Sequence, residues 1–232
     1  PKNGKKVDVL FNWGNNRINS NSKEAVLDLK IVSGNNTDKA RTEPINVCLV
    51  LDISGSMGGD RIATLKEAVK NYIDHLRIGD QLSLVTFNEE ANLEFSDKIE
   101  SVELKSRSKD WLSTFEAGGG TSILNGLEKG YESLQMFMNA YEYDRVVLLT
   151  DGFGSNPPSD VLDQSKKILN SGVPISTIGV GEYYNYALLE MISSLSGEKV
   201  FQVRQPEEIT EAFSEELNKN LEPIGKDFKL EI

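Results

Sequence analysis

Apolar residues along this chain follow two alternating rhythms. From residue 45 onward, short runs of β-forming residues are separated by segments in which apolar positions recur every three or four residues, as expected of a parallel sheet with helices on both faces. Residues 46–51 are almost wholly apolar, the signature of a central strand covered on both sides, and the run stops at Asp52. In 60–77, Ile62, Leu65, Val69, Tyr72, Ile73 and Leu76 mark one face of an amphipathic helix. A turn at Gly79-Asp80 leads to a strand over 81–87, and 91–95 is expected to pair with it as an antiparallel edge. Helices are predicted over 107–115 and 122–138, on either side of Gly118-Gly119-Gly120. A strand over 145–150 then precedes a helix capped by Ser159 and running to about 169. A strand over 174–181, a helix over 186–195, a strand over 199–203 and a helix over 207–219 complete the series.

The predicted fold class is therefore α/β: a doubly wound, mostly parallel central sheet over 44–220. Residues 25–32 and 228–232 alternate apolar and polar positions, so the segments 1–43 and 221–232 are expected to supply strands of a small flanking β element. At 232 residues the chain is long enough for one large α/β domain with a full core. Its 36 acidic against 25 basic residues give a net charge of −11, which repels phosphate backbones and makes nucleic acid an unsuitable partner. The apolar runs are too short for a transmembrane segment. Cys48, the lone cysteine, reads as a buried small hydrophobe in its strand. The opening Pro1-Lys2-Asn3 lacks Met and any signal-peptide core, as in a processed or recombinant fragment.

The candidate chemistry lies where strands end. Asp52-Ile53-Ser54-Gly55-Ser56 places three oxygen side chains at the carboxyl end of the first core strand, and a parallel fold brings Thr121 and Asp151 to the same rim. Each alone is an ordinary cap or turn residue. Together they offer hydroxyls and carboxylates from three loops, a donor set for a hard divalent cation: Mg²⁺ first, with Mn²⁺ or Ca²⁺ as alternatives. Such a cation would keep one position open, and neutral hydroxyls leave it electron-poor, favouring an anionic ligand.

Asp52-x-Ser54-x-Ser56, Gly120-Thr121-Ser122 and Thr150-Asp151-Gly152 together resemble the metal-ion-dependent adhesion site of von Willebrand factor A domains, over about residues 44–220. The resemblance implies metal contacts from Ser54, Ser56 and Thr121, with Asp52 and Asp151 acting often through water. It also implies a partner protein whose Asp or Glu completes the shell, and a last helix, here 207–219, that shifts with affinity. The expected function is a divalent-cation-dependent protein-binding module without turnover. The alternatives are a scaffold domain with a mainly structural metal and a Mg²⁺-dependent hydrolase.

Recognition is expected from loops on the same rim. Tyr183 and Tyr184 offer rigid amphipathic contact area beside Phe153 and Asn156, with packing on the following helix as the competing role and Tyr186 a candidate core residue. His75, the only histidine, stands apart from any second ligand. Neither a phosphate-binding loop nor a hydrolase elbow is present, no Lys or Arg stands in the motif loops, and Glu89-Glu90 reads as a solvated turn.

Overall fold

The computed structural model describes residues 7–13, 27–33, 43–141, 143–204 and 208, and divides the chain into two compact units. The smaller contains an antiparallel pair, β1 (Val7–Trp13) and β2 (Leu27–Ser33), with Leu10 opposite Lys30. The predicted alternation at 25–32 thus forms a strand, but its partner is Val7–Trp13, which the sequence reading missed. The expected strand 228–232 and helix 207–219 lie outside the described residues, apart from position 208.

The larger unit is a six-stranded sheet in the order β5-β4-β3-β6-β7-β8. Its strands are β3 (Ile45–Asp52), β4 (Gln81–Phe87), β5 (Ala91–Lys98), β6 (Tyr143–Thr150), β7 (Ile175–Val180) and β8 (Val200–Val203). All pair in parallel except β5, which runs antiparallel to β4 along one edge. This is the doubly wound architecture expected. The helices are α1 (Asp60–His75), α2 (Val102–Asp110), α3 (Ile123–Gln135), α4 (Pro158–Asn170) and α5 (Tyr186–Leu195).

Every residue of β3 is buried, because Cys48 and Val50 join one core with Ile123 and Leu127 of α3, Val161 and Ile168 of α4 and Leu189 and Ile192 of α5. Val47, Leu49 and Leu51 point the other way and are equally buried, as strand alternation requires when both faces are covered. Burial pushes the Cys48 thiol up to about 12, so it stays protonated as a packing group.

Helix boundaries depart from the predicted ones for local reasons. Helix α2 starts at Val102, not near 107, because the Ser101 hydroxyl accepts from the Leu104 N–H as an N-cap; the turn Trp111–Ser113 then tightens to 3₁₀. Ser159 is not a cap: Pro158 takes the first helical position, where its missing N–H costs nothing, and the Ser159 hydroxyl instead donates to Asp160. Helix α3 ends at Gln135, short of 138, and Ser122 is its N-cap, accepting from the Asn125 N–H.

Helix α3 lies unusually close to the sheet. A Cβ on Gly126 would stand 2.7 Å from the Phe87 ring, and one on Gly130 would stand 2.5 Å from Val50 Cγ2, so two glycines four residues apart make a flat stripe against β3 and β4. The same helix begins at the loop carrying Thr121, so this contact also sets the position of the rim.

Candidate metal and ligand rim

Strand order reverses between β3 and β6, and the carboxyl ends of both meet at that point, the usual place for a ligand crevice in a doubly wound sheet. Asp52 ends β3 and Asp151 follows β6, and both are fully buried. One Asp52 carboxylate oxygen accepts the Ser54 N–H at 2.9 Å and the other the Thr150 hydroxyl, which in turn accepts the Gly152 N–H at 2.8 Å. Burial pushes the Asp52 carboxyl above its usual range; the bonds from Ser54 and Thr150 oppose this, and the nearby charge of Asp151 adds to it.

The Ser54 and Ser56 hydroxyls are 3.1 Å apart. Two backbone bonds clip their loop to the glycine run, Gly55 N–H to Gly119 carbonyl at 3.0 Å and Gly118 N–H to Ile53 carbonyl at 2.8 Å. Gly119, at φ 80°, is in the left-handed region that this close approach uses. Thr121 is almost buried, and its carbonyl accepts from both the N–H and the hydroxyl of Ser155, tying this loop to the one after Asp151. Glu89-Glu90 is an exposed turn, as expected, and the Glu89 carboxylate also accepts the Gly120 N–H at 3.0 Å, bracing the residue before Thr121.

Arg61, in the first turn of α1, was missed as a site residue. Its guanidinium donates to an Asp151 carboxylate oxygen at 2.8 Å, to the Ser56 carbonyl at 3.1 Å and to the Tyr183 carbonyl at 3.2 Å. The other Asp151 oxygen accepts the Phe153 N–H at 3.1 Å. The motif loops themselves carry no Lys or Arg, as expected; the basic residue at the rim reaches it from helix α1.

The residues expected to read a ligand separate into two groups. Tyr183, after β7, is 71% exposed and Phe153, after β6, is 53% exposed. Tyr184 instead packs on the core: a Cβ on Gly179 would be 2.4 Å from its ring, so the glycine makes room for it. Asn156 is engaged too, accepting the Leu124 N–H at the start of α3 at 3.2 Å. Tyr186, a candidate core residue, is 50% exposed and donates to Glu190 at 3.0 Å. His75 is exposed at the last position of α1, bonded to the Asn71 carbonyl.

The donor set fits a hard cation: two buried carboxylates in mutual repulsion, beside neutral hydroxyls. Among the described residues no group of three His, Cys, Asp or Glu comes together, so a site here depends on hydroxyl oxygens.

Comparison with known proteins agrees with this fold. A family model for the von Willebrand factor type A domain matches residues 46–215. Human calcium-activated chloride channel regulator 4 is 31% identical over 196 residues, covering 80% of this chain and 20% of that protein. The von Willebrand factor type A structure from Catenulispora acidiphila superposes with a TM-score of 0.70 at 23% identity, over 95% of this chain and 51% of that one. Proximal thread matrix protein 1 of the mussel byssus, whose metal-ion-dependent adhesion site is occupied by zinc, superposes at 0.59 with 21% identity, over 76% and 47%. The chain spans about half the length, or less, of the curated relatives it matches.

Proposed function

Since the chain belongs to the von Willebrand factor type A family, whose members typically mediate protein–protein interactions and often depend on a metal, we propose that its rim holds one divalent cation and binds a partner protein through it. The partner supplies an Asp or Glu carboxylate. The observation that carries this reading is the pair of fully buried carboxylates, Asp52 and Asp151, flanking the Ser54 and Ser56 hydroxyls. Only one cationic side chain, Arg61, pairs with them among the described residues, and buried charge demands compensation.

Ser54, Ser56 and Thr121 would hold the cation through their hydroxyl oxygens. Each oxygen of Asp52 and Asp151 already accepts a protein donor, which suits both residues to accepting from cation-bound water with their remaining lone pairs. When bound, Mg²⁺, or Mn²⁺ or Ca²⁺ in its place, supplies attraction for an anionic ligand.

Calorimetric titration with Mg²⁺ is expected to show one site whose affinity falls on acidification, starting above the ordinary Asp range, because protons compete for the raised Asp52 carboxyl. In the metal-free protein the sign reverses. The folded state holds this proton more tightly than the unfolded chain, so the Asp52 contribution to stability is full below 3.8 and is lost as pH rises through the raised folded value. Melting curves against pH with and without Mg²⁺ separate the two, and parallel curves would exclude Asp52 from the cation shell.

Tyr183 and Phe153 form the exposed contact surface beside the cation. Tyr183→Ala is expected to weaken partner capture several-fold with unchanged cation affinity and stability. Tyr184→Ala should instead cost about 3 kcal/mol of stability, since its ring fills the space over Gly179. Chemical denaturation of both variants, with a capture assay, checks the split. The hydrolase alternative gains Arg61, but the only histidine, His75, lies at the far end of α1, so binding without turnover remains the better account.

A further inference from the structure

We propose that Arg61 is the specificity-determining residue of this rim, selecting a carboxylate-bearing ligand at the expense of affinity for the cation itself; the inference rests on the cation-dependent reading above. Its first support is position. A cation in the first turn of a helix opposes the macrodipole, so an Arg in that turn needs a compensating partner. Arg61 has three, the Asp151 carboxylate and the carbonyls of Ser56 and Tyr183, each from a different rim loop.

The second support is that the chain makes room for it. Gly181, at φ 98°, follows β7, and a Cβ there would stand 2.8 Å from Arg61 Nε. Any other residue at this turn would displace the guanidinium as well as strain the backbone.

The third support is charge balance. Asp52 and Asp151 as carboxylates, with neutral hydroxyls, balance the charge of a divalent cation, so without Arg61 the pull on an anion comes from the cation's open position alone. Arg61 adds one positive charge, paired to Asp151, so the loaded site carries an excess that one ligand carboxylate cancels. Glu89 stands outside at the Gly120 N–H, where solvent screens it. The Arg61 side chain is 28% exposed, and its three protein contacts use three of its five N–H groups, leaving two without a protein acceptor among the described residues.

The test uses Mn²⁺ as the cation probe and acetate as the carboxylate probe, with the whole chain. Mn²⁺ is titrated calorimetrically in sodium chloride and in sodium acetate of equal ionic strength, for wild type, Arg61→Gln and Arg61→Lys, after melting curves show each folded. Wild type is expected to bind Mn²⁺ more tightly in acetate. Arg61→Gln should bind Mn²⁺ about fivefold more tightly in chloride, the scale of one partly exposed charge pair, and show a clearly smaller acetate gain. Arg61→Lys keeps the charge and should stay near wild type in both buffers; Arg61→Met, which keeps the apolar stem, replaces Arg61→Gln if that variant is unfolded. Weaker Mn²⁺ binding by Arg61→Gln in both buffers would make Arg61 a structural brace only, and an undiminished acetate gain would remove it as the selecting residue. Absence of Mn²⁺ binding by the wild-type chain would instead overturn the cation reading on which the inference stands.

Discussion

Asp52→Asn is expected to leave a folded domain that no longer gains stability from Mg²⁺. Wild-type protein at a hundredfold excess of Mg²⁺ over its dissociation constant should gain about 2.7 kcal/mol, or about 5–10 °C in melting temperature for a chain of this size. The asparagine keeps the shape of the side chain and an acceptor for the Ser54 N–H, and its amide still reaches Thr150 Oγ1. It removes the charge that burial disfavours in the metal-free state, so the apo protein should melt within a few degrees of wild type. Asp52→Ala differs, leaving the Ser54 N–H and Thr150 hydroxyl without their acceptor at a cost of about 1–3 kcal/mol each. A melting shift with Mg²⁺ in Asp52→Asn equal to that of wild type would place the cation elsewhere.

The second large effect lies at the back of the rim. Gly130→Val drives a branched side chain into Val50 Cγ2, which a Cβ alone would already approach to 2.5 Å. Overpacking of this kind costs about 1–3 kcal/mol, and the better helix propensity of valine returns only a few tenths. A loss of about 2 kcal/mol in urea denaturation is expected. Because α3 is pushed from β3 and carries Ser122 and the Thr121 loop at its start, Mg²⁺ affinity should fall as well. Gly118→Ala meets nothing within 4 Å and should be near neutral in stability.

These effects show why the sheet was legible in the sequence and some of the rim was not. Strands β3 and β6 are written as nearly continuous apolar runs, while the equally buried β4 and β7 mix Ser and Thr with β-forming residues, and the ends of all four followed to within two residues. Helix α2 was misplaced because it buries only Ser108 and exposes Val102, so no apolar stripe marks it; the signal that could have found its start was the cap at Ser101. Strand β1 was missed although Val7, Val9, Phe11 and Trp13 recur at every second position, as Leu27, Leu29 and Ile31 do in β2.

The five proposed donors could be named because Asp52, Ser54 and Ser56 are local in sequence and strand ends that point one way bring the loops of Thr121 and Asp151 to the same rim. Arg61 was not, since its three partners are separated from it by 5, 90 and 122 residues. Its sequence signal was weaker: a basic residue in a helical first turn, two positions after a glycine pair, where the dipole disfavours it. Tyr183 and Tyr184 are adjacent in sequence yet differ in role, because neighbouring residues leave a loop in different directions and only Tyr184 meets the bare backbone of Gly179.

The most direct measurement of the central claim is affinity capture on the immobilised chain with Mg²⁺, followed by elution with EDTA and Mg²⁺ add-back, with Asp52→Asn in parallel. A partner that is retained with Mg²⁺, released by EDTA, recaptured on add-back and never held by Asp52→Asn is the predicted result. A partner that remains bound through EDTA, or that Asp52→Asn captures equally well, would contradict it.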